Sequence, residues 1–127
     1  MRQPIATDQA PKAMGPYSQG IVSGDLVFVS GQGCGNPATG QLEKGDIRVE
    51  TRRTFENMKA ILEAAGSSLD QVVKCNVYLR DMADFAAMNE IYASYFKAPF
   101  PSRTTIQAAA LPGGMMVEID CIARKSP

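Results

Sequence analysis

The chain has 127 residues, of which 45% are hydrophobic and 20% are charged, and these proportions are typical of a single globular domain. Thirteen basic and thirteen acidic residues give a formal net charge of zero, which argues against a nucleic acid or an anionic membrane as a partner recognised by bulk charge. Histidine is absent, and this excludes histidine-paired nucleophiles, histidine metal ligands and histidine general bases.

The first predicted elements are the two strands of a hairpin over residues 20–31, with Gly24-Asp25 at the turn and β-branched and aromatic residues after it. A loop is predicted over residues 31–40, where glycine, asparagine and proline concentrate. Apolar residues then recur at helical spacing from Asp46 to Ala65, and Asp46 can cap the start of this helix.

The second half of the chain predicts a strand, a helix and two further strands. Polar and apolar residues alternate from Gln71 to Arg80, a helical period runs from Asp81 to Lys97, and two strands are expected at Arg103–Ala108 and Met115–Ala123. The order β-β-α-β-α-β-β predicts one α+β domain over residues 1–127, with a mixed sheet and both helices on one face. Because little remains to cover the other face, the pattern favours a symmetric homo-oligomer.

Two charged residues of the terminal strands are the main candidates for chemistry. Two prolines precede Arg103, which begins a predicted strand, and its planar guanidinium can bind a carboxylate through two hydrogen bonds. Glu118 lies between apolar neighbours, where a carboxylate needs a partner. Arg103 is the expected partner, because consecutive strands are usually neighbours. Either the pair is a structural ion pair, or Arg103 binds a substrate while Glu118 orients a water.

Four further residues are weaker candidates. Tyr17 follows a Gly-Pro turn and projects from a defined loop, although a tyrosine there can equally pack at an interface. Ser30-Gly31 ends a buried strand, where a hydroxyl and a backbone N–H can meet a ligand or simply form a turn. Asn89 lies on the second predicted helix, opposite much of its apolar stripe, where asparagine is more often solvated.

Motifs for metals and cofactors are missing. The glycines at 31–35 do not form a dinucleotide-binding pattern, and no Walker A sequence occurs. The three cysteines form no C-x-x-C pair and are expected to be reduced thiols. Residues 1–12 carry no leader pattern, and no apolar run approaches the length of a membrane span, so a soluble cytoplasmic protein is expected.

The sequence closely resembles the RidA/YjgF family of reactive intermediate deaminases. The matching pieces run in order from Ile5 to Ala123, and the C-terminal signature, Pro-Ser-Arg followed at the right distance by Val-Glu-Ile, is specific. The principal pieces are Gly15-Pro16-Tyr17-Ser18-Gln19, Ser30-Gly31-Gln32, Asp84-Phe85 with Asn89, Pro101-Ser102-Arg103 and Val117-Glu118-Ile119.

This resemblance implies a chorismate-mutase-like fold and a homotrimer whose sheets pack centrally, with active sites in the clefts between subunits. It implies the cofactor-free reaction of a 2-iminobutanoate/2-iminopropanoate deaminase, which hydrolyses 2-imino and 2-enamino acids such as 2-aminoacrylate to 2-keto acids and ammonia. Arg103 matches the family's carboxylate-binding arginine, and Glu118 matches the glutamate that positions water. The matching pocket-lining positions are Tyr17, Ser30, Gly31 and Asn89.

Thr105 departs from the family pattern, because many relatives have cysteine there. That position is held to act through its backbone carbonyl, so the change need not abolish activity but can alter substrate preference. Three other functions stay open: a non-catalytic module that senses 2-keto acids or other small carboxylates, a ribonuclease, and a chaperone-like role. The zero net charge and the missing histidine weigh against the ribonuclease.

Overall fold

A computed structural model describes residues 1–126 as one six-stranded sheet with two α-helices packed on one face. The predicted α+β class, with two helices on a mixed sheet, is confirmed. The elements in chain order are β1 (Gln3–Ile5), β2 (Gly20–Ser23), β3 (Leu26–Gln32), α1 (Ile47–Ala64), β4 (Val72–Leu79), α2 (Phe85–Tyr95), β5 (Ser102–Gln107) and β6 (Val117–Arg124).

The order of strands across the sheet is β1-β2-β3-β6-β4-β5; the β4–β5 pair is parallel, and the other pairs of the described residues are antiparallel. The sequence pattern missed β1, because three residues that include Pro4 show no alternation; pairing with β2 makes them a strand. The prediction that the last two strands are neighbours is wrong. Since α2 carries the chain across the sheet, β5 returns parallel to β4, and the other edge of β4 pairs with β6.

The core lies between the sheet and the helices. Alternate residues of β4 and β6, such as Val77 and Ile119, point into it, and α1 contributes Phe55 and Leu62, all with no exposed surface. Each fully buried side chain of this size stabilises the fold by about 1.5–3 kcal/mol. Asp46 begins α1 as predicted, because its carboxylate accepts the N–H of Val49 at 3.0 Å.

Two buried polar side chains of α1 attach the helix to the segments beside the open face. The carboxylate of Glu50, which is 1% exposed, accepts the N–H of Met116 at 2.8 Å, immediately before β6. The amide of Asn57 donates to the carbonyl oxygens of Gly33 and Gly35 at 3.0 and 2.8 Å, in the loop after β3. These bonds hold the starts of β6 and of this loop at fixed places relative to the helix.

The opposite face of the sheet has no cover within the described chain. Phe28 of β3 and Ile106 of β5 are 39% and 49% exposed there, and Ile122 of β6 is half-buried beside them. This agrees with the expectation that the chain leaves one face uncovered. No helix in residues 1–126 combines the length and the apolar character that a membrane span requires.

Candidate active site

Arg103 lies on the helix-covered face of β5, next to Cys75 of β4. Its guanidinium carbon is 4.6 Å from the ring centroid of Tyr92 and 5.5 Å from that of Phe85, both on α2. Within residues 1–126 it forms no ion pair, so the alternative of a structural salt bridge within the chain fails. The predicted Arg103–Glu118 pair is wrong. The guanidinium is held by aromatic rings and keeps its hydrogen-bonding capacity for another group.

A cavity of about 310 Å³ opens in front of this guanidinium. It is lined by Asn89, Tyr92, Ala93, Phe100, Pro101 and Arg103. Phe85, Asn89 and Tyr92 follow each other at helical spacing, so one side of α2 presents all three toward β5. The expectation that Asn89 lies opposite the apolar stripe is therefore wrong: it is half-buried on the same side of the helix. The spacing of four and three residues between Phe85, Asn89 and Tyr92 is the sequence signal that places them on one side of the helix.

Three buried polar atoms around Arg103 have no hydrogen-bond partner in the described chain. They are the amide oxygen of Asn89, the hydroxyl of Tyr92 and the hydroxyl of Thr105. Thr105 shares the covered face with Arg103, two residues further along β5. Buried polar atoms are nearly always paired in folded proteins, so several orphans in one place indicate a site that a ligand completes. We call Asn89, Tyr92, Arg103 and Thr105 the arginine cluster.

Glu118 lies on the open face of the sheet, opposite Tyr78 in the pairing of β4 with β6. Burial, and then the nearby Asp120, raise the pKa of its carboxyl above the usual range. Asp120 itself accepts hydrogen bonds from the Asn76 amide at 2.8 Å and the Tyr78 hydroxyl at 3.0 Å. Two neutral donors thus hold the Asp120 carboxylate, and this carboxylate stays close to Glu118.

Gly31 of β3 makes room for the Glu118 side chain. A Cβ at position 31 would lie 2.5 Å from one carboxylate oxygen of Glu118 and 2.9 Å from its carboxyl carbon. The neighbouring Ser30 donates its hydroxyl to the Ser18 carbonyl at 2.6 Å, and its N–H to the Gln19 carbonyl at 3.0 Å. The Ser30 hydroxyl therefore holds the loop that carries Tyr17.

The loop with Tyr17 is fixed by Gln19, a residue whose role the sequence pattern does not indicate. The Gln19 amide donates to the carbonyl oxygens of Thr7 and Pro11 at 3.0 and 2.7 Å. Tyr17 remains 52% exposed and lines a separate groove of about 750 Å³ against the N-terminal segment, which includes neither Arg103 nor Glu118. We call Ser30, Gly31 and Glu118 the glutamate cluster, and Tyr17 lies apart from it in this groove.

The two clusters face opposite sides of the same sheet. Arg103 of β5 pairs with Cys75 of β4, and Glu118 of β6 pairs with Tyr78 of β4. The strands that carry Arg103 and Glu118 are therefore separated by β4, and the two positions differ by three residues along β4. Strand geometry puts their Cα atoms about 14 Å apart, with the side chains on opposite faces. Within the described chain, no cluster of histidine, cysteine and acidic residues could hold a metal ion.

Comparison with known proteins identifies relatives over nearly the whole chain. A family model described as endoribonuclease L-PSP matches residues 7–125. A RutC family protein of Pyrococcus horikoshii is 50% identical over 98% of this chain and 99% of its own length. A 2-iminobutanoate/2-iminopropanoate deaminase of Homo sapiens is 43% identical over 100% and 93%. The crystal structure of E. coli TdcF with bound serine has a TM-score of 0.92 at 41% identity, covering 98% of this chain and 99% of that one.

Proposed function

Since the chain belongs to the RidA/YjgF family, whose model is described as endoribonuclease L-PSP, we propose that it hydrolyses 2-imino and 2-enamino acids to 2-keto acids and ammonia. The observation that carries this proposal is the free guanidinium of Arg103 at the wall of a small cavity. A cation that no acid within residues 1–126 neutralises is suited to bind the carboxylate of such a substrate. The human relative named as a deaminase and the serine bound to TdcF support the same class of ligand.

The proposed reaction needs orientation rather than a covalent nucleophile. Arg103 binds the substrate carboxylate and places the electrophilic imine carbon, and Glu118 and the backbone carbonyl of Thr105 orient a water. The water oxygen bonds to the imine carbon as the C=N double bond opens, and one proton of the water passes through Glu118 to the imine nitrogen. The hydroxyl proton of this tetrahedral adduct then passes to the nitrogen in the same way, the C–N bond breaks, ammonia leaves, and the carbonyl of the 2-keto acid forms. The raised pKa of Glu118 suits a group that accepts and returns a proton in these steps.

We propose that two protomers form each site. Because the two clusters lie on opposite faces, one chain cannot present Arg103 and Glu118 to the same small molecule. A second copy covering the open face brings its arginine cluster to the glutamate cluster of the first, and it buries Phe28 and Ile106. A closed ring of three such contacts is the homotrimer that the family resemblance implies.

The test replaces Arg103 by alanine and measures ammonia release from 2-aminoacrylate generated in a coupled assay. Loss of two charge-assisted hydrogen bonds should lower kcat/KM by about 100-fold or more. Arg52→Ala, at an exposed arginine of α1, is the matched control and should keep wild-type activity. Unchanged activity in a folded Arg103→Ala variant would refute the assigned role. If wild-type protein binds 2-ketobutyrate but turns over no imino acid, the chain is a carboxylate-sensing module instead.

A ribonuclease is the second candidate, because the description of the matching family model names that activity. The balanced charge and the absence of histidine offer little to bind or cleave RNA. Purified protein that cuts RNA, with the cut lost in Glu118→Ala, would favour this function over deamination.

A further inference from the structure

The guanidinium of Arg103 is supported by aromatic rings and neutral groups, and no acid of residues 1–126 forms an ion pair with it. We propose that Tyr92 is a positioning residue, whose ring holds the Arg103 guanidinium in the cavity so that it selects ligands carrying a carboxylate. This inference rests on the proposed function for the identity of the substrate. It adds a residue that acts through Arg103 and does not itself need to touch the reacting atoms.

The Tyr92 ring is held firmly by the core. Tyr92 is 5% exposed, its ring meets that of Phe55 edge-on at 5.7 Å, and it packs against Phe96 at 4.9 Å between centroids. Phe55 has no exposed surface and stacks on Tyr95 from the other side, with centroids 4.7 Å apart. A ring locked in this way cannot turn aside, so it offers a fixed surface on which the guanidinium lies at 4.6 Å.

The groups beneath Arg103 are neutral at physiological pH. Cys75, its partner in the sheet, has its pKa raised to about 11, mainly by burial, so the thiol stays protonated. Burial also raises the pKa of the Tyr92 phenol, and the phenol lies close to this thiol. An aromatic face attracts a cation without neutralising it, whereas a carboxylate in the same place would compete with the substrate for the hydrogen bonds of the guanidinium. The aromatic support therefore leaves the whole charge available.

Phe85 supports the guanidinium less closely. Its ring centroid is 5.5 Å away, and the side chain is only half-buried at the first residue of α2. The difference in distance and burial indicates that Tyr92 contributes most of the positioning of the guanidinium. Phe85 packs against it from further away. A ring is required at position 92 on this basis, because the ring supports the guanidinium, whereas the hydroxyl lies beside the Cys75 thiol.

The experiment compares Tyr92→Leu, Tyr92→Met and Tyr92→Phe with a control, Tyr95→Leu, on the same helix. Tyr95 also packs on Phe55 but does not support Arg103, so its replacement removes packing on Phe55, and the hydrogen bond from its hydroxyl to Glu56 at 2.8 Å, while the support of Arg103 stays. We expect Tyr92→Leu and Tyr92→Met to raise the Kd of 2-ketobutyrate, measured by calorimetry, about tenfold. KM for the imino acid should rise in parallel while kcat changes little. Tyr95→Leu should keep the wild-type Kd, and Tyr92→Phe, which retains the ring, should raise the Kd less than Tyr92→Leu does.

An uncharged probe distinguishes positioning from general damage to the cavity. The affinity for 2-ketobutyramide, which lacks the carboxylate, should be the same in wild type and Tyr92→Leu. If folded Tyr92→Leu or Tyr92→Met binds 2-ketobutyrate as tightly as wild type, the positioning role is overturned while deamination stands. If wild type binds 2-ketobutyrate without turnover and the ring variants lose that binding, the positioning role stands and deamination fails. If wild type does not bind 2-ketobutyrate at all, both fail.

Discussion

The two faces of the sheet present their polar groups in different ways. On the covered face, two rings of α2 hold Arg103, and the arginine cluster surrounds a cavity that one chain builds by itself. On the open face, Glu118 stands beside Asp120 with no element of the described chain above it. The residues of the proposed site are thus divided between a face that the chain completes and a face that it leaves open, which makes association part of the proposed chemistry.

The largest expected effect comes from mixing two inactive variants, Arg103→Ala and Glu118→Gln. If each site takes its arginine and its glutamate from different protomers, random mixing in equal amounts restores both residues in about a quarter of the sites. The measurement is ammonia release after co-refolding or co-expression of the two variants. Mixed protein as inactive as its parents would mean that each site uses Arg103 and Glu118 of one chain.

The next effect concerns the space that Gly31 leaves for Glu118. In Gly31→Ala the new methyl group would lie 2.5 Å from a carboxylate oxygen, so the Glu118 side chain must move away. A displacement of this size should lower kcat about 100-fold, as measured with the coupled assay. Gly15→Ala is the control, because its Cβ would meet Tyr17 at an ordinary 3.6 Å. Full activity in Gly31→Ala would show that the position of Glu118 is not critical.

A smaller effect is a shift of the pH profile through Asp120. Burial and Asp120 raise the pKa of Glu118, so the carboxylate becomes protonated as the pH falls through this raised value and can no longer take a proton from the attacking water. Activity should be lost on this acid side. Asp120→Asn removes the neighbouring charge, lowers the pKa of Glu118 and should move the acid limb of kcat/KM to lower pH. Tyr78, which faces both acids, has a raised pKa and stays neutral. An unmoved acid limb would assign the titration to another group.

The smallest effect is on the covered face and concerns stability. Asp46→Ala removes the side-chain cap of α1 and should reduce the free energy of unfolding by about 1 kcal/mol. Urea denaturation followed by circular dichroism measures this change. Glu63→Ala, at an exposed position of the same helix, should leave the stability within about 0.5 kcal/mol of wild type. Equal losses in both variants would mean that the cap contributes nothing measurable.

The elements of the fold were largely readable from local pattern. Alternation through Cys75 and Val77 predicted β4, helical spacing predicted both helices, and Asp46 was identified as a cap, because these signals depend on a few adjacent residues. The three-residue strand β1 was missed for the same reason. Its identity depends on hydrogen bonds to β2, which lies 15 residues or more away along the chain.

The residues of the candidate site could be predicted from the sequence, but their arrangement in space could not. The sequence by itself determined that Arg103 lies near the start of a strand, which begins one residue earlier than predicted, that Glu118 lies inside one, and that the chain belongs among proteins with these motifs. Only the tertiary structure decided that β4 separates them, that Tyr92 supports the guanidinium, and that the two charges face opposite sides. The reason is physical: periodicity fixes which neighbours share a face within one strand, whereas strand order depends on where the α2 crossover returns the chain.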